Sequence, residues 1–582
     1  MFSTSPPGKR SINLGLVATL LFSLYPQQSA CVAPPSGNEQ PLVGSTVNLD
    51  CECLIGTLLP FLSADPDCLK MDPSLAFKTQ TRGSLISVVS ATPKPQWGIC
   101  DGGHLFCLQL NILEGASWSH PQFGDACIAT TQTSEVNGAS EDCLFGNIYI
   151  PTNTTKSSNL PVLVYFHGGS ARTIPPELII QSSQKPLIFV TFQYRLGQFG
   201  FLGGSDVKAN GALNAGFMDQ RAALRWVQRY IHEFGGDRQK VTIWGQSAGA
   251  GATMFHLVAK GGDNEDLFRA AMGNSPSLSY MPAYKSSYVE NIYAKFVSLT
   301  ACAGQTGAKA LRCLRAAPVL DIIRAGSGVL TEYPATLYVF APILDGTVLS
   351  TRPVDAFYPR SSSTTPKFSR VPVLFGSNLD EGAVWSSLLP DPLANTSMPN
   401  ANEDTVVRFL QGQWATMPRV IFDDAMNLSM GMYPITDYGG SVSLQGQQMY
   451  GEARYICTAG LITGGASIAG VKDSYQYSYH NPHLGSGHSA EIIGFFAPPA
   501  DADAKDLALY QTMREYWTSF VTDGRPTSTN TITWEPSNSA NGSPRLLLHP
   551  DAVAMEQVDE TSRGRCGYWH RTWPRMHDSN AS

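Results

Sequence analysis

Short, nearly continuous apolar runs recur along the chain after about residue 140. They include 161–166, 187–192, 241–244 and 371–375. Four to six adjacent apolar residues without polar alternation are typical of strands that are buried on both faces, as in a parallel sheet covered by helices. The pattern therefore predicts at least four central strands of one mostly parallel sheet.

The stretch 219–232 has a helical period instead. Its apolar side chains recur every three to four residues and would share one face of a helix: Ala222, Ala223, Trp226, Val227 and Tyr230. Strands that alternate with helices indicate an α/β fold, here a large, mostly parallel central sheet with helices on both faces. Neither an internal repeat nor a shift in composition divides the chain beyond residue 140, so we expect one large domain there.

The first thirty residues have the organisation of a secretory signal peptide. Lys9 and Arg10 precede the apolar run 12–25, and a short polar stretch follows to residue 30. The run is short for a membrane span; an uncleaved anchor or a buried helix are the alternatives. The C-terminal end lacks the hydrophobic tail of a lipid-anchor signal. We expect a signal peptide at 1–30, its end uncertain by a few residues, and a secreted, extracellular protein without a stable membrane anchor.

Composition narrows the class of partner. Among 582 residues, 40 are Lys or Arg and 47 are Asp or Glu, a net charge of −7. Nucleic-acid binding needs a basic surplus to neutralise phosphates, so we expect no nucleic-acid partner. Twelve cysteines, an even number, suit disulfides in a secreted chain. Four Asn-x-Ser/Thr sequons are candidate glycosylation sites: Asn153, Asn395, Asn427 and Asn541.

The sharpest chemical motif is Gly245-Gln-Ser247-Ala-Gly249. An apolar strand leads into it and a helix-compatible stretch, 250–258, leaves it, which predicts a strand–turn–helix elbow. Such a turn needs glycines where a Cβ would clash, and it holds the serine hydroxyl above the sheet. Ser247 is thus a candidate nucleophile, the alternative being a bystander serine in a glycine-rich turn. A serine needs a base and an acid, in this fold in the chain order serine, acid, histidine.

Five segments in the expected order resemble the type-B carboxylesterase/lipase family of α/β-hydrolases, most closely its secreted fungal members. They are 141–144, 194–201, 214–220, 234–249 and 516–526. The resemblance extends over roughly residues 120–545. It implies an α/β-hydrolase fold and hydrolysis of carboxylic esters that requires neither cofactor nor metal.

The same resemblance implies the acid and the base. The family's acid lies in a Gly-x-x-x-Asp-Glu-Gly segment, which makes Glu381 the candidate; Asp380 and Asp345 are rivals that we interpret as loop or capping acids. The family's histidine lies in a Gly-x-x-His-x-x-Glu loop, which here gives His488. The nearby His480 and His483 are interpreted as strand-end and loop residues.

The oxyanion hole is also carried over from the family. The loop His167-Gly-Gly-Ser170 follows the strand at 161–166, and the resemblance assigns the backbone amides of Gly169, Ser170 and Ala248 to the hole. Ser170 stands where the family usually has glycine. A backbone amide does not depend on the side chain, so the hole is compatible with this serine.

The family pattern implies two disulfides, Cys127–Cys143 and Cys302–Cys313. For Cys457 and Cys566 the sequence leaves both a free and a paired state open. The other six cysteines lie within the first 107 residues and lack histidines at zinc-ligand spacing, so no metal site is expected there.

Residues 31–118 form a divergent segment in which the family's N-terminal motifs are missing, most clearly over 54–114. A genuine insertion and a translated intron both fit. We predict a catalytic domain at 119–582 whose fold begins near residue 40.

Together these observations predict a secreted carboxylic-ester hydrolase with a Ser–His–Glu triad and an acyl-enzyme intermediate, acting on a small-molecule or lipid ester. A triacylglycerol or sterol-ester lipase of the same family is the alternative. A catalytically inactive adhesion or binding protein on the same fold is less favoured, because all three triad candidates are present.

Overall fold

A computed structural model describes residues 124–129, 131–169, 176–358, 366–427, 431–529, 532–540 and 542–573, and the backbone of two further strands at 86–93 and 108–113. All of them belong to the unit Gln40–Ser582. The predicted signal peptide and Ser170 lie outside the described residues, as does Asn541.

The described strands form an 11-stranded sheet and a separate two-stranded one. In chain order they are β1 (Ile86–Pro93), β2 (Leu108–Leu113), β3 (Ala126–Cys127), β4 (Ala139–Ser140), β5 (Gly146–Pro151), β6 (Leu160–Phe166), β7 (Ile188–Phe192), β8 (Gly236–Gln246), β9 (Ala270–Asn274), β10 (Val373–Asn378), β11 (Ser474–Tyr479), β12 (Arg545–Leu548) and β13 (Ala554–Glu556).

The large sheet has the order β13-β12-β11-β10-β9-β8-β6-β7-β5-β1-β2. The seven strands from β12 to β7 run parallel, and antiparallel strands extend both edges. All four apolar runs predicted as central strands lie in this parallel part, within or overlapping β6, β7, β8 and β10. The α/β-hydrolase fold class predicted from the sequence agrees with this large, mostly parallel sheet.

Helices connect and cover the strands. They are α1 (Glu177–Ser182), α2 (Gly197–Phe201), α3 (Ser205–Asn210), α4 (Ala215–Tyr230), α5 (Ala248–Val258), α6 (Ser287–Ser298), α7 (Gly307–Ala316), α8 (Val319–Glu332), α9 (Pro353–Phe357), α10 (Glu403–Gln413), α11 (Arg419–Met426), α12 (Val442–Gly451), α13 (Cys457–Ile468), α14 (Ala490–Phe496), α15 (Ala504–Asp523) and α16 (Glu560–Thr572). The periodic stretch predicted as a helix at 219–232 lies mainly in α4, which begins four residues earlier.

Alternate side chains of each central strand enter two separate cores. In β6, Val162 and Val164 join the core that contains α4, α5 and α13, whereas Leu163 and Tyr165 join the core that contains α1, α14 and α15. A strand turns successive side chains to opposite faces. The near-continuous apolar runs in the sequence therefore reflect burial on both sides of the sheet.

The segment without family motifs contributes to the same sheet. The backbone of β1 pairs antiparallel with both β5 and β2. The sheet therefore extends N-terminal to residue 119. A domain start near residue 40 stays a prediction.

Candidate active site

The turn at Ser247 has the geometry that an elbow requires. Ser247 lies between the last residue of β8 and the first of α5, with φ 57° and ψ −117°. A Cβ on Gly245 would lie 2.3 Å from the carbonyl carbon of Gly249, and one on Gly249 would lie 2.0 Å from the carbonyl oxygen of Phe166. Both positions thus exclude any side chain, and the strained backbone places Ser247 at the carboxyl edge of the sheet.

Ser247, His488 and Glu381 lie on one continuous line of hydrogen bonds. His488 Nε2 is 2.8 Å from Ser247 Oγ, and His488 Nδ1 is 2.6 Å from Glu381 Oε2. An ionised carboxylate can only accept, so Nδ1 carries the proton and Nε2 is left to accept from the serine hydroxyl. The Glu381 side chain is fully buried, while 9% of the His488 side chain is exposed. The three residues predicted from the sequence are thus brought together in the order that proton transfer needs.

Two neighbouring strand ends hold the carboxylate of Glu381. The Ser275 hydroxyl, just after β9, and the backbone amide of Asn378, at the end of β10, both donate to Oε1. Neither residue lies in a motif that indicated it in the sequence. Their position directly at the carboxyl ends of strands is the signal that could have indicated them.

Two aromatic rings pack against His488. The Tyr455 ring lies 4.4 Å from the imidazole between centroids, and the Trp385 ring lies 5.2 Å from it. The indole of Trp385 also donates to the backbone carbonyl of Glu381 at 2.9 Å. These rings restrict the imidazole to one orientation, and no local motif in the sequence indicated them.

A second buried carboxyl group, Glu491, lies close to the first. It accepts from the side-chain amides of Asn274 and Asn378. Burial, and after it the negative charge of Glu381, raises the pKa of Glu491. A raised pKa favours the neutral form, which would not compete with Glu381 for the imidazole.

The glycine loop predicted to supply the oxyanion hole lies directly against the elbow. A Cβ on Gly168 would be 3.3 Å from the Cβ of Ser247. Gly169 and Ala248 are both exposed, and neither backbone amide donates to a described acceptor. Two of the three predicted amides thus remain available to a ligand, and the third, that of Ser170, is outside the described residues.

His167, the first residue of this loop, is held in place by Tyr194. Its imidazole is buried and stacks on Tyr194 with 4.4 Å between ring centroids. The Tyr194 hydroxyl donates to the His167 carbonyl at 2.6 Å. Burial lowers the pKa of His167, so the ring is neutral at physiological pH. Its role is therefore to support the loop.

The rival acids have other partners. Asp345 accepts from the backbone amides of Thr347, Val348 and Leu349 and so caps a turn. Asp380 is exposed and pairs through its backbone amide with the carbonyl of Ser486. Neither carboxylate is hydrogen-bonded to His488.

The rival histidines also point elsewhere. His480 lies 3.0 Å from the Ser478 hydroxyl, and burial lowers its pKa. His483 lies 2.6 Å from Asp506, whose hydrogen bond raises the pKa of His483. His483, Asp503 and Asp506 are close enough to share a cation. However, Asp503 caps α15 and Asp506 also binds Asn481, so these acids already have structural partners.

Three disulfides are present among the described residues. They join the two pairs that the resemblance implied and a third pair that the sequence left open: Cys127–Cys143, Cys302–Cys313 and Cys457–Cys566. Of the candidate glycosylation sites, Asn153 and Asn427 are exposed and Asn395 is partly buried. In the described part of the chain, every helix is too short or too polar to cross a bilayer.

Comparison with known proteins agrees with the fold and the motifs. A model of the carboxylesterase family matches residues 116–569, well over half of the chain. The chain belongs to the carboxylesterase family.

Named relatives of this carboxylesterase-family chain include fungal lipases and animal esterases. "Secreted lipase 1" of Botryotinia fuckeliana (strain B05.10) is 30% identical over 387 residues, covering 62% of this chain and 65% of that lipase. "Acylcarnitine hydrolase" of Mus musculus is 28% identical over 462 residues, covering 75% of this chain and 76% of that hydrolase. The chain covers just under two thirds of the first two fungal lipases that it matches, 65% and 66%.

Solved structures show the same fold. Aspergillus niger EstA superposes with a TM-score of 0.68 at 27% identity, over 81% of this chain and 91% of that one. A structure titled "PNB esterase" superposes with a TM-score of 0.63 at 22% identity, over 84% of this chain and 97% of that one. Both likenesses place the carboxylesterase-family chain among α/β-hydrolases.

Proposed function

We propose that this protein is a secreted carboxylic-ester hydrolase in which Ser247, His488 and Glu381 act as a catalytic triad. The observation that carries the proposal is the hydrogen-bonded line from Glu381 through His488 to Ser247. Membership of the carboxylesterase family supports the reaction class. Secretion is supported by fungal relatives named as secreted lipases and by the three disulfides.

In the proposed acylation step, Ser247 Oγ attacks the ester carbonyl carbon while His488 Nε2 takes the hydroxyl proton. Glu381 stabilises the imidazolium that forms. The amides of Gly169 and Ala248, with that of Ser170, donate to the oxyanion. His488 then protonates the alcohol oxygen, the bond from carbon to that oxygen breaks, and the acyl group remains on Ser247.

Deacylation repeats these events with water in place of the serine. His488 Nε2 takes a proton from water, the hydroxyl attacks the acyl carbon, and the bond to Ser247 Oγ breaks as that oxygen regains a proton. The N-terminus of α5 adds its positive end where the negative charge develops. Each oxyanion donor is worth about 2.7–4 kcal/mol by analogy with a measured case.

Replacement of the nucleophile tests the proposal. Ser247→Ala should reduce kcat on p-nitrophenyl butyrate by at least about 10⁴-fold, because the remaining groups can only position substrate. Ser298→Ala, at an exposed helix end far along the chain, is the matched control and should behave as wild type. Equal turnover by Ser247→Ala and the control would exclude Ser247 as nucleophile and favour the binding-protein alternative.

One observation favours the lipase as a second candidate. The segment 379–398, which contains the triad acid, exposes several large apolar side chains: Leu379, Val384, Leu388, Leu393 and Met398, exposed by 39–64%. Paired hydroxyls of Ser386 and Thr396 close this segment into one loop. It contains no Lys or Arg between 371 and 407. An apolar loop without basic side chains beside the site suits contact with a neutral lipid surface.

A chain-length series separates the two candidates. p-Nitrophenyl esters of increasing acyl length are assayed below and above their solubility limit. A lipase should show a rate increase above the limit, and Leu388→Asp should remove that increase without changing the rate on dissolved esters. A smooth saturation curve through the limit favours the esterase.

A further inference from the structure

A cavity that opens to solvent lies near His488 and has a volume of about 570 Å³ with the open solvent included. Five of its fifteen lining residues are aromatic, Phe201, Tyr280, Tyr288, Tyr338 and Phe340, and one, Arg454, is a cation. The Tyr338 ring is 6.3 Å from that of Trp385, which packs on His488. On the other side, Ser279 lines the cavity two residues after Ser277, whose amide donates to the carbonyl of Ser247.

Arg454 is a buried charge without an ionic partner among the described residues. Only 5% of it is exposed, no described carboxylate forms an ion pair with it, and its Nε has no hydrogen-bond partner. The other two buried arginines in the described part of the chain have partners: Arg221 pairs with Glu265, and Arg514 donates to the Ser182 hydroxyl, the Gly494 carbonyl and the Gln511 side chain. An unpaired charge in an apolar site is unfavourable unless a ligand or a polar group compensates it.

Tyrosine rings compensate part of this charge. The guanidinium carbon lies 5.2 Å from the ring centre of Tyr338 and 5.9 Å from those of Tyr450 and Tyr455. Cation–π contacts stabilise a cation, and the Tyr455 side chain is also a hydrogen-bond partner of the guanidinium. Nε remains without a partner and can donate to a ligand. A guanidinium held in this way is preorganised to bind a carboxylate.

The backbone around Arg454 is unusual in a way that supports a functional role. Between α12 and α13 the helix contains a π-helical turn, Glu452–Ile456. Such turns occur often at functional sites because they redirect side chains. Here the turn directs two consecutive residues to different places, Tyr455 onto the His488 ring and Arg454 to the cavity wall.

We propose that Arg454 binds a carboxylate carried at the far end of an apolar chain of the ester substrate. The enzyme would then prefer half-esters with a terminal carboxylate to neutral esters of the same length. The aromatic wall would hold the methylene chain, and the guanidinium would pair with the carboxylate. The preference rests on the proposed role of Ser247, whereas the carboxylate site itself does not.

A kinetic comparison tests the preference. Mono-p-nitrophenyl esters of dicarboxylic acids are compared with neutral p-nitrophenyl esters of equal length in wild type, Arg454→Met and Arg454→Lys. We expect the ratio of kcat/KM for charged over neutral ester to fall at least tenfold in Arg454→Met, and by less in Arg454→Lys, which keeps a charge. Arg419→Met, which removes an exposed arginine paired with Asp404 and Asp423, should leave the ratio as in wild type.

The same variants separate specificity from a structural role. Loss of activity by one common factor on charged and neutral esters would overturn the proposal, since Arg454 would then act only on the position of Tyr455 and His488. A second series, acetyl esters of ω-hydroxy acids against acetyl esters of alkanols, tests whether the carboxylate is recognised on the alcohol side. A tenfold change of the ratio in either series supports the site.

Direct binding makes the site testable without turnover. Calorimetry on Ser247→Ala should detect octanoate, and the double variant Ser247→Ala/Arg454→Met should bind it at least tenfold more weakly, while octanamide should bind both proteins equally. Equal octanoate affinity in the two variants would overturn the proposal even if Ser247 is the nucleophile. If Ser247→Ala keeps full esterase activity, the proposed function fails although the carboxylate site is retained.

Discussion

The carboxylate of Glu381 has separate donors for its two oxygens. Oε2 accepts from His488, and Oε1 accepts from the Ser275 hydroxyl and the Asn378 amide. Since these donors come from different strand ends, the plane of the carboxylate is fixed before substrate binds. A fixed acid in turn fixes the tautomer and the direction of the imidazole.

Removal of the Ser275 hydroxyl should therefore affect the chemical step and not binding. We expect Ser275→Ala to lower kcat about tenfold with little change in KM, because a hydrogen bond to a charged group contributes about 1.5–3 kcal/mol and part of it serves to orient His488. Steady-state kinetics on p-nitrophenyl butyrate, with Ser298→Ala as control, measures both constants. A rise in KM at constant kcat would contradict the positioning role.

The three residues of the hydrogen-bonded line could be predicted from the sequence, Ser247 from its own strand–turn–helix motif and Glu381 and His488 from segments that resemble those of the family. Ser275, Trp385 and Tyr455 could not, because they act through contacts between segments that are distant in sequence. For example, Tyr455 reaches His488 only after a helix has been placed across the carboxyl edge of the sheet. Local patterns carry no information about such contacts.

Helix α4 is joined to the loop after α5 by a cluster of charges. Arg221 is fully buried and pairs with Glu265, which also binds Arg225 and Lys260. Burial alone would raise the pKa of Glu265. Hydrogen bonds from Lys260 and Arg221, together with the arginine charges, outweigh this effect and lower the pKa to about 2. The carboxylate is thus ionised and holds two arginines against one loop.

Neutralising this carboxylate should destabilise the fold. We expect Glu265→Gln to lower the free energy of unfolding by about 2 kcal/mol at pH 7, since the substitution leaves Arg221 buried and unpaired. The loss is smaller than for a fully buried ion pair because Glu265 is partly exposed. Denaturant unfolding measures the change. The matched control Glu332→Gln, which breaks the exposed pair with Lys295, should change stability by less than about 0.5 kcal/mol. Equal effects would contradict the role of Arg221.

The central elements were predictable and the sheet edges were not. The apolar run 241–244 lies in the second half of β8, but the strand begins at Gly236, which pairs with Leu160 of β6 before a register shift at the polar residues 237–240. The strands β12 and β13 at one side of the sheet have only four and three residues, too few to show a hydrophobic period. Pairing with an existing sheet, and not local propensity, determines such strands.

Helix α16, the last helix in the described part of the chain, packs into the core that contains α13. Trp569 on this helix is buried and donates to the Tyr433 hydroxyl at 2.7 Å. His570 is buried next to the Cys457 carbonyl at 3.1 Å. Burial lowers the pKa of His570 to about 4.

This buried histidine should make stability depend on pH. Its pKa is lower in the folded chain than the value of about 6.5 in the unfolded chain, so the unfolded state binds the additional proton. The contribution of neutral His570 is complete above pH 6.5 and decreases towards pH 4, by about 3 kcal/mol in total. Denaturant unfolding from pH 7 to 4 should show a smaller loss in His570→Gln than in wild type.

The exposed His232 provides the control for this measurement. His232→Gln should retain the slope of wild type, because a change at this exposed position leaves His570 buried. If His570→Gln and His232→Gln lose stability equally between pH 7 and 4, another buried group is responsible for the slope.

The disulfide Cys457–Cys566 joins the residue that directly follows the π-helical turn to the last described helix, over a separation of 109 residues. A ribosome adds Ser247, Glu381 and His488 to the chain before Cys566. The nascent chain therefore contains all three residues of the proposed triad while the helix that carries Tyr455 still lacks its disulfide. Oxidation after release would complete the wall against which His488 rests. Acquisition of activity in a secreting cell should therefore follow the oxidation of this last cysteine and not the completion of the sheet.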